Sequence, residues 1–304
     1  MAKAESKQNT TSQLSVKHHT IEIDGIEIFY REAGSTDAPV LLLPHGYPSS
    51  SFQFRNFMPV LADRWHSIAP DYPGFGYSST PDRARFSYTF DGYADFLERF
   101  TAAMKLTQYT LYLHDYGSQI GLRLAMKAPE RVVALIIQNG DIYEDELGPK
   151  YKDLKDYWVH PTSKGREKLG RAVSEEGFRD EFVGEVSENL IERISPDLWK
   201  LSWSLMQSQR REIAIGLMEG LQENLEWFPK YQAYLREYQP PTLIVWGPHD
   251  GYMPEGAARA YLRDVPHAEL HLLDGGHWLL ETHLTEVIAL VRDFLSRIDK
   301  RENS

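Results

Sequence analysis

The chain has 304 residues, 42% hydrophobic and 25% charged, a globular composition with enough apolar material for a sizeable core. A net charge of −11 argues against nucleic acid or an anionic membrane surface as partner, because both select basic patches. With no cysteine in the chain, disulfides, thiolate catalysis and Cys-ligated metals are excluded.

Residues 1–16, MAKAESKQNTTSQLSV, are polar and lack an apolar h-region. They read as a disordered tail and not as a signal peptide. No run approaches ~18 consecutive apolar residues, so no membrane-spanning helix is expected, and the expected location is cytoplasmic. Two alternating runs flank Asp24-Gly25 in HTIEIDGIEIFYREAG, the pattern of a β-hairpin. PVLLLPHG (39–46) is a short apolar run ending in a turn, as a buried strand would be. WHSIAPDYPGFGYSS is a strand running into a Gly/Pro-rich loop, and residues 88–106 carry apolar residues at helical spacing.

YTLYLHD reads as a strand, GSQIGLRLAMKAP as a helix and RVVALIIQNG as a strand. This alternation predicts a mostly parallel sheet with helices on both faces. From 143 to 228 the sequence is rich in charge, Trp and Tyr and has helical spacing without a convincing strand. It reads as a helical insertion between a first core part (17–142) and a second (229–304). The strand–helix pattern resumes with TLIVWGPHD, EGAARAYLRDV, AELHLLDGG and LTEVIALVRDFLSRI.

The chemistry starts at LYLHDYGSQIG (111–121). A strand-to-helix elbow lifts its apex side chain above the sheet and needs small residues beside it. With Asp115 at the apex, Gly117 and Ser118 are the small neighbours. With Ser118 at the apex they would be Tyr116 and Ile120, and the G-x-S-x-G spacing fails as well. Asp115 is the candidate nucleophile, although an aspartate there would also serve as a helix cap. Asp250 ends the strand IVWGPHD, and His277 lies in a Gly-flanked loop after the last strand. Loops at the carboxyl ends of parallel strands gather at one edge, so Asp115, Asp250 and His277 are expected to meet as nucleophile, acid and base. The turn His45-Gly46-Tyr47-Pro48 follows a central strand. The backbone N–H groups of Tyr47 and Tyr116 are the expected oxyanion hole.

HGYP, DYPGFGYS, HDYGS, WGPHD and GGHW together resemble the α/β-hydrolases, specifically the branch of epoxide hydrolases and haloalkane dehalogenases. The resemblance spans about residues 17 to 298. It implies an α/β-hydrolase fold with an eight-stranded, mostly parallel sheet and an inserted helical cap. It also implies hydrolysis through a covalent alkyl-enzyme ester with no metal or organic cofactor. The expected substrate is a small apolar or aromatic molecule under the cap, and the chain is expected to be a monomer or homodimer.

Enzymes of the epoxide-opening kind use two cap tyrosines to protonate the leaving oxygen. The resemblance places those positions on Leu154 and Leu221, and leaves Tyr143, Tyr151 and Tyr157 as possible hydroxyl donors nearby. Dehalogenases need N–H donors for the halide; Tyr116 and Tyr47 stand where those would be, and Trp158 or Trp203 is the remaining source of an indole N–H. Asn139, ending its strand, is expected to be a turn residue or to orient a group near the site. An epoxide hydrolase-like activity is the leading expectation. Carbon–halogen hydrolysis and a non-catalytic ligand-binding role are the alternatives, and an esterase built on Ser118 is disfavoured by the spacing.

Overall fold

The structure, a computed structural model, describes residues 15–206 and 208–302; the expected tail therefore lies outside the described residues up to position 14. Eight strands form one sheet: β1 (Lys17–Ile23), β2 (Ile26–Ala33), β3 (Val40–Leu42), β4 (His66–Pro70), β5 (Tyr109–His114), β6 (Val132–Gln138), β7 (Thr242–Trp246) and β8 (Glu269–Leu272). Their order is β1-β2-β4-β3-β5-β6-β7-β8. β2 runs antiparallel to β1 and β4, and every other neighbouring pair is parallel. The hairpin turns at Asp24-Gly25, where both residues have positive φ, as a DG turn requires. Every residue of β4, β5 and β7 is buried, because helices cover both faces of a parallel sheet.

From β3 the chain steps outward to β4 on one side and then to β5 on the other. Such a reversal opens a crevice at the carboxyl ends of β3 and β5. One face of the sheet carries α1 (Phe90–Ala103) and α2 (Tyr116–Lys127). α1 begins where Thr89 accepts a hydrogen bond from the Gly92 N–H, the usual N-cap role of threonine. It buries Tyr93, Phe96, Leu97 and Phe100, the i, i+3, i+4, i+7 stripe of a core-facing helix. The other face is covered near the C-terminus by the helix Leu284–Glu302, through Val287, Val291, Phe294, Leu295 and Ile298.

Between β6 and β7 the regular elements are all helical among the described residues. The longer ones are α3 (Tyr151–Val159), α4 (Ser163–Ala172), α5 (Glu175–Val183), α6 (Asp197–Leu205), α7 (Ser208–Leu225) and α8 (Phe228–Tyr238). α7 is tied to the core by Arg210, whose guanidinium donates to the carbonyls of Gly76 and Ser78, each at 2.7 Å. Arg123 of α2 is buried between the Asp91 carboxylate and the Asn224 side-chain oxygen, each at 2.7 Å, and lies over the Trp227 ring. A buried cation left without such partners would cost about 3–5 kcal/mol, so this contact fixes where the insertion rejoins the core. Among the described residues, no helix is long and apolar enough to cross a membrane.

Candidate functional site

β5 delivers the chain to Asp115, and α2 starts one residue later. Asp115 has φ 52° and ψ −131°, a strained conformation for a non-glycine residue and one that marks functional sites. The surroundings explain why it fits. A Cβ on Gly46 would stand 2.5 Å from the Asp115 Cβ, and one on Gly117 would stand 2.3 Å from the Pro44 carbonyl oxygen. The Asp115 side chain makes no helix-capping hydrogen bond. Ser118 is fully buried, and its Oγ has no hydrogen-bond partner among the described residues. It packs so tightly on Gly140 that a Cβ there would lie 1.8 Å from the hydroxyl. Asp115 lines the cavity above the elbow and Ser118 does not.

The Asp115 carboxylate accepts the Tyr47 N–H at 2.5 Å, and the Tyr116 N–H stabilises the same group. The turn that aims Tyr47 is held by His45. Its Nδ1 donates to the Gly46 carbonyl at 2.9 Å, and its Nε2 accepts the Tyr72 N–H at 3.2 Å. Burial pushes the His45 imidazole down to about 4, so the ring is neutral at ordinary pH and serves as a structural brace. The Tyr47-Pro48 peptide is cis.

His277 Nδ1 donates to Asp250 Oδ2 at 2.6 Å, and its Nε2 lies 3.7 Å from Asp115 Oδ2. Sequence reasoning named these three residues, and the fold brings them to one edge from the ends of β5, β7 and β8. Burial opposes a charged imidazole, but the carboxylates of Asp250, Asp115 and Glu181 outweigh it and raise His277 to about 9. Burial would likewise raise Asp250. The His277 charge and the N–H groups of Met253 and Tyr252 instead hold it below the ordinary carboxylate value. For Asp115 burial prevails and its pKa is raised, with His277 and the two backbone N–H groups offsetting part of the effect. Those donors thus lighten the cost of the ionised form without cancelling it.

Asn139, at φ 39°, is more than a turn residue. Its Nδ2 donates to Asp250 Oδ2 at 2.9 Å and to the Gly247 carbonyl at 3.0 Å, and its Oδ1 accepts the Gly247 N–H at 2.9 Å. It clamps the end of β7 to the end of β6 and orients the acid. Asn139→Ala leaves these buried groups unpaired and is expected to cost about 1–3 kcal/mol, read as a lower urea midpoint with an unchanged m-value.

The cavity measures about 180 Å³ and is lined by Asp115 and His277 on the core side. Leu154, Leu221 and Tyr151 of the insertion also line it, and the Tyr151 hydroxyl is near enough to the buried Asp141 carboxylate to stabilise its charge. Four further candidates do not reach it. Tyr143 donates to Asp264 Oδ2 at 2.6 Å and packs on Tyr261. Tyr157 turns outward to Glu219, at 2.6 Å, and the Trp158 indole N–H is occupied by the Met218 carbonyl at 3.2 Å. Trp203 packs on Phe178 away from the cavity. In each case an alternative polar partner or an aromatic face decided the orientation, and sequence spacing could not reveal which.

Residues that sequence reasoning passed over also line it, among them Tyr252, Lys150 and Glu181, and Tyr47 and Tyr116, named for their backbone N–H groups, line it too. Tyr47 and Tyr116 stack with ring centroids 5.5 Å apart, and the buried Tyr47 hydroxyl has no hydrogen-bond partner among the described residues. Glu181 carried a signal in its spacing, since it shares a helix face with the buried Phe178 at i−3. Among the described residues no three His, Asp or Glu side chains group as metal ligands.

Comparison with known proteins adds lineage to this geometry. The profile of the alpha/beta hydrolase fold family matches residues 39–284. An uncharacterized hydrolase of Saccharomyces cerevisiae is 33% identical over 291 residues, which are 94% of this chain and 98% of that one. A cis-3-alkyl-4-alkyloxetan-2-one decarboxylase of Shewanella oneidensis is 28% identical over 293 residues, covering 94% of this chain and 90% of that one. The crystal structure of haloalkane dehalogenase DbeA from Bradyrhizobium elkani superposes with a TM-score of 0.79 at 23% identity, covering 94% of this chain and all of the other.

Proposed function

This chain belongs to the α/β-hydrolase fold family, and on that premise we propose that it hydrolyses an epoxide through an ester formed on Asp115. A carboxylate is a poor nucleophile towards esters and amides, because it leaves again from the adduct. Against an sp³ carbon it displaces a leaving group in line and stays bound as an alkyl ester. Asp115 Oδ1 is held by the Tyr47 N–H, which leaves Oδ2, the oxygen nearest His277, to attack. His277, oriented by Asp250, then draws a proton from water, which adds to the ester carbonyl carbon. The N–H groups of Tyr47 and Tyr116 receive the charge that develops on the carbonyl oxygen.

The observation that carries an oxygen leaving group is the Tyr47 hydroxyl. It is buried, unpartnered among the described residues, and belongs to a residue that lines the same cavity as Asp115. An unpaired buried hydroxyl costs stability, and a shift of the Tyr47 side chain towards an incoming oxygen acceptor relieves it. Among the described residues no indole lines the cavity, so a departing halide finds no such N–H there. The oxetan-2-one in one relative's name is also a strained oxygen ring. Halide release is the second reading, supported by the likeness of the fold to a haloalkane dehalogenase. The volume suits a small substrate, since a cavity of roughly 150 Å³ accepts a benzene ring.

Turnover of styrene oxide, a short alkyl epoxide, an oxetan-2-one and a bromoalkane, read by chromatography of the products and by halide release, separates the readings. Diol from the epoxides is the expected result. Bromide release without diol establishes the second reading in its place.

A further inference from the structure

The leaving oxygen needs a proton, and leucines occupy the two positions where the resemblance expected tyrosines. The tyrosines that do line the cavity are weak acids: burial raises Tyr47, Tyr116 and Tyr252 far above the ordinary phenol value. They are suited to donating a hydrogen bond, not to giving up the proton. Three carboxyl groups outside the triad lie at or near the cavity: Asp141, Glu181 and Asp153, the last exposed and held by the Lys168 ammonium at 2.7 Å. Asp141 is sealed behind Tyr151 and Gln119 and does not line the cavity. Glu181 does.

We propose that Glu181 is the proton donor to the leaving oxygen when Asp115 opens the ring. This rests on the epoxide reading and names the residue that completes it. Glu181 comes from α5, in the insertion, whereas Asp115 and His277 come from the core, so the cavity has an acid in its insertion wall and the nucleophile in its floor. Its place is fixed twice over. The Glu181 backbone carbonyl accepts the indole N–H of Trp278, the neighbour of His277, at 2.9 Å. One turn further along, Glu185 accepts the Gly251 N–H at 2.7 Å beside Asp250. The carboxyl itself accepts the Tyr252 hydroxyl at 3.2 Å, and the Lys150 ammonium is near enough to stabilise its charge.

Burial, relieved in part by Lys150, His277 and Tyr252, raises Glu181 to about 7, a favourable value for a general acid at neutral pH. The step balances. An Asp115 oxygen bonds to the ring carbon, the carbon–oxygen bond breaks, and the Glu181 proton moves to the departing oxygen, leaving a hydroxy ester and the Glu181 carboxylate. Hydrolysis of the ester leaves one proton on the Asp115–His277 side, and its return to Glu181 through water closes the cycle. An ionised Glu181 also repels a halide, so the same residue favours an oxygen leaving group.

The test uses His277→Gln, in which the ester accumulates, with and without Glu181→Gln, and follows alkylation by styrene oxide by quench and intact mass from pH 5 to 9. With Glu181 present the rate is expected to fall as pH rises through its pKa, because the acid must be protonated. Glu181→Gln is expected to slow alkylation by roughly 100-fold and to abolish that alkaline fall. Glu181→Asp, which keeps a carboxyl on a shorter stem, should retain the fall at an intermediate rate, and an unchanged thermal midpoint checks the fold of each variant. Alkylation by Glu181→Gln within about threefold of its parent, or slower alkylation with the alkaline fall intact, overturns the assignment of the proton to Glu181 while the epoxide reading stands. An absence of any epoxide adduct, with wild type inert towards epoxides, overturns both.

Discussion

Asp115→Asn is expected to lower turnover by on the order of 10⁴-fold or more, the scale seen when a nucleophile is removed from a catalytic unit, without loss of fold stability. The amide oxygen can still accept the Tyr47 and Tyr116 N–H groups, and asparagine tolerates unusual positive-φ conformations better than most residues. What disappears is an anionic oxygen able to displace a leaving group. The stability half of the prediction follows from the raised pKa of Asp115. A carboxyl whose pKa is higher in the folded than in the unfolded chain binds its proton more tightly when folded. Its ionisation therefore destabilises the fold as pH rises above the unfolded value and reaches its full effect above the folded one. At pH 7 the asparagine variant should unfold at a temperature no lower than wild type, and any advantage should shrink as pH falls through the carboxylate range. An inactive variant that is also markedly less stable would point to a structural role for Asp115.

His277→Gln is expected to leave alkylation in place while slowing ester hydrolysis by roughly 10²–10⁴-fold, so that a covalent intermediate accumulates to one equivalent. The electrostatics of the site suggest how the two steps are separated. In the free protein, three carboxylates raise His277 to about 9 against the opposing effect of its burial, so the imidazole is protonated at neutral pH and supports the ionised Asp115. In the proposed reaction alkylation turns Asp115 into a neutral ester and removes a charge that raises the ring more than the carboxylate left on Glu181 does. The pKa of His277 then falls, and the ring becomes a base only once there is an ester to hydrolyse. Ester hydrolysis by wild type should therefore slow as pH drops below this lowered pKa, because the base must be unprotonated. The measurement is a pH series of single turnovers with adduct followed by mass. Ester hydrolysis independent of pH between 5 and 9 would show that His277 does not titrate in the intermediate.

The parts of the site carried by strand ends were legible in the sequence. Asp115 could be separated from Ser118 because an elbow demands small residues at fixed offsets, and the structure displays that demand as Cβ positions that Gly46 and Gly117 leave empty. Asp250 and His277 follow strands directly, so sheet topology alone brings them to the same edge. The insertion was harder. Its helices face the cavity through packing choices that periodicity does not determine: Tyr151 faces inward, while Tyr157, six residues later on the same helix, is drawn out to Glu219. Glu181 was hidden because a carboxylate in a charged helix ordinarily faces water. Only its place one turn after the buried Phe178 marks it as different. Asn139 read as a turn residue because its partners, Gly247 and Asp250, are more than a hundred positions away.

The central claim is that the side chain at the elbow becomes covalently bound to substrate. Peptide mapping of His277→Gln after exposure to an epoxide that wild type converts tests it most directly. The adduct is expected on the Asp115 carboxyl, and it should be missing from the Asp115→Asn/His277→Gln double variant. An adduct on Ser118, or one that persists in the double variant, would contradict the account.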